Sequence, residues 1–223
     1  MHRSGTSWLA GSLQEKGLEL GEVSTSAPHN LKGNRESAVL MALHDGVLAD
    51  NGGSWKRPTW PNRWSDARRA ELAAHIARMN ADYPLWGFKD PRALLLLDEW
   101  LRQVPDLVRV GIFRHPLAVH RSLAARNPRF DESRSVDLWR AYNERLVEEH
   151  ARSPFPVLRF DVPPDELMRG LDRVARDLGL PHASRPSSFF EKELVHNAPA
   201  AADDVPRACR KLWDALDGVR LRA

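Results

Sequence analysis

A chain of 223 residues, 42% hydrophobic and 28% charged, carries the apolar content of one globular domain, which excludes disorder, collagen and coiled coil as whole-chain readings. Its 33 basic and 30 acidic residues leave a net charge of +3, and 27 of the cations are Arg, a bias toward planar, bidentate anion contacts with no basic run to mark a general nucleic-acid binder. No apolar run approaches the roughly 20 residues that cross a bilayer, and the single Cys209 excludes an internal disulfide, so a soluble protein of a reducing, cytoplasmic compartment is expected.

Apolar spacing predicts a first helix over Thr6 to Lys16, closed by Gly17, with Trp8, Leu9 and Leu13 on one side. A second is expected over Gly33 to Leu48 and a third over Asp66 to Asn80, entered through Ser65 as N-cap. Pro84 to Phe88 reads as a short strand, Leu94 to Leu101 as a helix, and Leu107 to Phe113 as the strongest strand. Pro116 to Ala125 follows as a helix with Pro in its first turn. Then come a helix over Ser135 to Ala151, a strand over Val157 to Phe160, and helices over Asp165 to Leu178 and Asp204 to Leu216. Short strands separated by helices indicate the α/β class, a parallel sheet covered on both faces in one domain over residues 1–223, with ligands at the carboxyl ends of the strands. The least regular stretch, Asn51 to Trp64, holds Trp55, Trp60 and Trp64 among Pro, Gly and basic residues, the make-up of a substrate lid or a packed surface loop.

Two segments have the make-up of anion sites. Arg3-Ser4-Gly5-Thr6-Ser7 leads directly into a helix, so Gly5 permits a tight turn, the first-turn N–H groups are available to an anion, and the hydroxyls and Arg3 add donors beside them. It is not a Walker A loop, since no Gly-Lys-Ser/Thr is present. Arg114 stands at the carboxyl end of the strongest strand, and His115-Pro116 turns into a helix on which Ser122 and Arg126, four apart, share a face. These three converge on a second anion.

Together, Arg3-Ser-Gly-Thr-Ser7 and Arg114-His-Pro-Leu-Ala-Val-His-Arg-Ser122 resemble the 5′-phosphosulfate loop and the 3′-phosphate site of sulfotransferases that use 3′-phosphoadenosine 5′-phosphosulfate (PAPS). Arg126 extends the likeness to the tyrosylprotein type, and Lys89-Asp90-Pro91-Arg92 resembles a Lys-Asp-Pro element of the family. Similarity to bacterial sulfotransferase-family proteins continues through Asn30 to Glu36, the Trp139 helix and Val157 to Asp161, as far as about His196. The resemblance implies a P-loop-like three-layer sandwich and sulfuryl transfer from PAPS to a hydroxyl or amine. Arg3, Ser4, Gly5, Thr6, Ser7, Arg114, Ser122 and Arg126 would bind PAPS, Arg3 would stabilise the leaving phosphate, and Lys89 would stabilise the sulfuryl group. Sulfuryl transfer is mainly positioning and charge stabilisation, so no metal is expected. The base is expected at Glu36, taken to open the second helix, then at Glu22 after Gly21, then at His29. His115 and His120 are read as packing or phosphate-adjacent. Trp55, Trp60 and Trp64, or Ser187 to His196, can wall a small-molecule, glycan or peptide acceptor. The alternatives are a P-loop-like nucleotide kinase or other phosphotransferase, and a noncatalytic PAPS-binding module. An anion loop of this kind hangs from a buried parallel strand, yet only Met1 and His2 precede Arg3. A truncated or misassigned start, with about ten further upstream residues rich in Val, Ile and Leu, is therefore expected.

Overall fold

The computed structural model describes residues 1–26, 32–189 and 204–222. In chain order the elements are α1 (Thr6–Glu15), α2 (Ala38–Asp50), α3 (Asp66–Asp82), α4 (Leu97–Gln103), β1 (Gly111–Phe113), α5 (Pro116–Ala124), α6 (Glu132–Arg152), β2 (Val157–Arg159), α7 (Pro164–Asp177) and α8 (Arg210–Val219). Short 3-10 turns at Pro91–Leu95 and Arg207–Cys209 precede α4 and α8. This is a mixed α/β chain in which a two-stranded parallel sheet sits among helices. Among the described residues no helix is long and apolar enough to cross a membrane.

Several helix boundaries follow local chemistry. Ser65 caps α3 by accepting from the Arg68 N–H, and Asp131 caps α6 in the same way through Arg134, starting that helix a turn before the expected Ser135. Pro116 occupies the first turn of α5. Four expectations need correction, the first being the last helix, which begins at Arg210 after a 3-10 turn rather than at Asp204. The second helix begins at Ala38 rather than Gly33, because Gly33 and Arg35 have positive φ and residues 24 and 35–36 pair through their backbones. Pro84 to Phe88 is not a strand; Trp86 makes one parallel bridge to Glu19. The strand expected over Leu107 to Phe113 keeps only its last three residues. Gly111 donates to the Pro156 carbonyl at 2.8 Å, but Pro154 and Pro156 have no N–H with which to extend the ladder backward.

The chain falls into two compact units, Met1–Gly17 with Arg109–Ala223, and Leu18–Val108. In the first, β1 and β2 pair in register Gly111↔Val157, Ile112↔Leu158, Phe113↔Arg159. Phe113, Trp139, Tyr142, Leu158 and Leu171 are buried around them, α7 packs on β2, and Trp213 of α8 meets Phe113 edge-on at 5.5 Å. Lys16, just past α1, is wholly buried, and its ammonium reaches Asp172 on α7 at 2.7 Å and the carbonyls of Ala183 and Arg185 at 2.7 and 2.6 Å. All three donors are used, so the staple joins three segments. Lys16→Ala orphans two carbonyls, while the partly exposed Asp172 rehydrates. The expected cost is about 2–3 kcal/mol, read as a Tm lower by roughly 5–10 °C; an unchanged Tm would show that the staple is idle.

In the second unit Leu40, Leu43, Val47 and Leu48 of α2 and Leu72 of α3 are buried. So are Leu95, Leu96 and Trp100, and Phe88 stacks on Trp100 at 4.1 Å. Trp64 belongs to this core, set edge-on to His44 at 6.5 Å, which removes it from the candidate acceptor wall. Trp60 is exposed.

Candidate functional site

The loop before α1 bends through two left-handed residues, Arg3 at φ 66° and Gly5 at φ 90°. Non-glycine residues seldom adopt such a φ, and strain of this kind collects where the backbone must meet a ligand. No side chain caps α1, and its first helical bond runs from Leu9 N–H to the Gly5 carbonyl at 3.0 Å. The helix therefore presents its N-terminal dipole beside Arg3 and Ser4. A Cβ on Gly5 would enter the Phe160 ring, so only glycine lets this turn lie against the end of β2.

Phe160 also supports the Arg114 segment. The Arg114 guanidinium lies over its ring, 5.2 Å from the centroid, and Trp8 packs on it at 5.9 Å. The Phe160 N–H is held by the Phe113 carbonyl at 2.9 Å. The Arg114 carbonyl accepts from Trp139 Nε1 at 2.8 Å, and Asp161 accepts from the His115 N–H at 2.9 Å. Both sides of the chain at Arg114 are thus clamped where β1 ends. Arg3 then closes the set, with its Nε donating to Ser122 Oγ at 2.8 Å. The two segments expected to bind separate anions are one contiguous cluster within a single unit.

The electrostatics are those of an anion site. Burial first, then the guanidinium groups of Arg126 and Arg114, push the Arg3 pKa down to about 10, which leaves it cationic at neutral pH. Burial also lowers Arg114, with Asp161 opposing the shift and Arg121 reinforcing it. Ser4 Oγ and Arg114 Nε are buried with no hydrogen-bond partner. Buried polar atoms seldom remain unpaired; here a wholly buried hydroxyl and a buried guanidinium N–H lie amid mutually repelling cations. These residues fit a ligand that carries more than one negative charge.

Arg126 needs one correction. It does not share a helix face with Ser122, because α5 ends at Ala124 and the Arg126 N–H turns back onto the Leu123 carbonyl at 3.1 Å. That turn still brings its charge to Arg3. Thr6 and Ser7 occupy the first turn of α1 as expected. His115 is a buried N-cap of α5 whose Nδ1 accepts from the Leu117 N–H at 3.3 Å, and its ring packs against Trp213 at 5.2 Å. His120 lies 3.1 Å from Ser135 of α6. Both make packing and capping contacts, and His115 adjoins Arg114 in the chain. Sequence motifs give Phe160, Asp161 and Trp139 no site role, although the end of a parallel strand is where site residues gather.

The second unit holds the other candidate residues. Lys89 Nζ lies 2.5 Å from Glu36 Oε1 and 3.1 Å from the Asn34 carbonyl, both carboxylate and ammonium being largely enclosed. Glu36 does not open α2: Ser37 is the N-cap, and Glu36 is fixed by the backbone pair with Ser24. Glu22 is exposed. His29 lies outside the described residues, as does most of Ser187 to His196; Ser187 itself binds Glu15 at 2.7 Å. Among the described residues no group of three or more His, Cys, Asp or Glu is arranged to hold a metal ion. No family model, curated protein or solved structure matches the chain.

Proposed function

We propose that this protein is a sulfotransferase that moves a sulfuryl group from PAPS to a hydroxyl or amine of an acceptor. The observation that carries the reading is the single cluster formed by Arg3, Ser4, Gly5, Arg114, Ser122 and Arg126, with Arg3 Nε on Ser122 Oγ at 2.8 Å and two buried donors unpaired. Its motifs resemble the two phosphate-binding elements of the family, and their meeting in one place is what a ligand with a 3′-phosphate and a 5′-phosphosulfate requires. A P-loop-like three-layer sandwich is part of the same proposal.

PAPS supplies the sulfuryl group and a bisphosphate that departs. On this reading Arg3 and the α1 N-terminus stabilise charge gathering on the departing 5′-phosphate, while Arg114, Ser122 and Arg126 hold the 3′-phosphate. The family resemblance assigns Lys89, in the other unit, the neutralisation of the equatorial sulfuryl oxygens. Glu36 accepts the acceptor's proton as the new bond to sulfur forms and the bond to phosphate oxygen breaks. Glu36 is preferred to Glu22 because it already faces Lys89.

Titration calorimetry with adenosine 3′,5′-bisphosphate in the presence of EDTA tests the reading. Saturable binding without Mg²⁺ is expected. Mg²⁺-dependent ATP binding with none for the bisphosphate would favour a phosphotransferase. Bisphosphate binding with no transfer of label from PAPS to any acceptor pool would favour a noncatalytic binding module.

A further inference from the structure

The side chains around Asp90 form a closed network beside Lys89. His44 of α2 is fully enclosed, and its Nδ1 lies 2.9 Å from Asp90 Oδ2. Trp100 Nε1 lies 3.0 Å from His44 Nε2. An indole N–H only donates, so Nε2 accepts, the ring proton resides on Nδ1, and Nδ1 donates to the carboxylate. The second oxygen of Asp90 accepts from the Arg92 N–H and from Arg92 Nη1, both at 2.9 Å. Arg92 Nε in turn reaches Asp45 of α2 at 2.6 Å. Both ends of the network are therefore anchored on α2, and the residue between them adjoins Lys89 in the chain.

We propose that His44 is a positioning residue: by holding the Asp90 carboxylate in one orientation, it fixes the backbone that carries Lys89 and keeps that ammonium charged and directed at Glu36. The inference rests on the sulfotransferase reading for what Lys89 does, while the geometry concerns Lys89 alone. Among the described residues, Lys89 faces Glu36 and the Asn34 carbonyl from the segment before α2, together with further contacts of its own, and Asp90 and Arg92 act on it from its own segment. His44 and Asp45 act through Asp90 and Arg92. Burial lowers the Lys89 pKa, Glu36 and Asp90 oppose that shift, and Arg92 adds to it. The sign follows: when the Asp90 charge is turned away or removed, burial prevails and Lys89 loses its proton at a lower pH.

Acylation of Lys89 by a water-soluble anhydride, followed across pH by peptide mass spectrometry, reads this without any substrate. His44→Leu is expected to lower the half-titration of Lys89 by about one pH unit and so raise its labelling near neutrality about tenfold. Asp90→Asn should move it the same way and further. His44→Asn, which restores a donor near the Nδ1 position, should return it toward wild type even where its Tm stays low. Wild-type titration in His44→Leu overturns the proposal, as does a shift in Asp90→Asn alone. Should His44→Leu not fold, Trp100→Phe, which frees the imidazole from the indole donor, decides by the same readout: a downward shift supports, an unchanged curve overturns. An inactive wild-type protein with the expected labelling would remove the sulfotransferase reading and leave the positioning role intact.

Discussion

Arg114→Ala is expected to weaken binding of adenosine 3′,5′-bisphosphate by about 100-fold. A charged hydrogen-bonding group contributes roughly 1.5–3 kcal/mol, and the upper end applies because Arg114 is preorganised. Its carbonyl is held by Trp139, its guanidinium lies over Phe160, and its Nε is buried and unpaired. Nothing needs to be ordered when an anion arrives, so little of the gain is offset, and about 2.7 kcal/mol corresponds to 100-fold in Kd. Arg114→Lys keeps the charge and loses the planar fork, so it should recover less than tenfold of that loss. Arg121→Ala, on the exposed side of α5, is the control and should change Kd less than about threefold. Calorimetry at two salt concentrations checks all three, and equal effects for Arg114 and Arg121 would mean that the cluster is not the anion site.

Gly5→Ala is expected to damage fold and binding together. Forcing a Cβ into the left-handed region costs about 1–2 kcal/mol, and the added methyl meets the Phe160 ring, which cannot move without disturbing Trp8 and Arg114. A total near 3 kcal/mol lowers Tm by roughly 6–12 °C, and bisphosphate affinity should fall more than tenfold as Arg114 loses its platform. Gly52→Ala separates the two causes. Gly52 has φ +69° with open space around it, so its substitution carries the backbone cost without the clash and should leave binding unchanged. Equal Tm losses at the two positions would refute the packing argument.

What could be read in the chain followed range of interaction. Ser65 before an apolar period and Pro116 after a strand specify helix starts, because capping acts over three or four residues. Gly5 before the first helix marked the tight turn at Arg3 to Ser7 for the same reason. Boundaries failed where distant backbone intervened: residues 33–37 look helical by composition, but pairing with Ser24 and left-handed turns at Gly33 and Arg35 keep them extended or turned. The Leu107 to Val110 run has a strand's composition, yet it lies beyond the prolines that end β2's capacity to pair.

The pieces of the Arg3–Arg114 cluster are legible along the chain: a glycine turn feeding a helix, an Arg at a strand end, and a following helix that carries Ser122. Folding adds what no local pattern contains: Arg3 and Ser122, 119 positions apart, share a hydrogen bond, Phe160 supports both halves, and Lys89 faces Glu36 rather than Glu22. Propensity and capping act on neighbours along the chain, whereas these contacts depend on the register of two three-residue strands and on which side chains burial leaves in reach of one another.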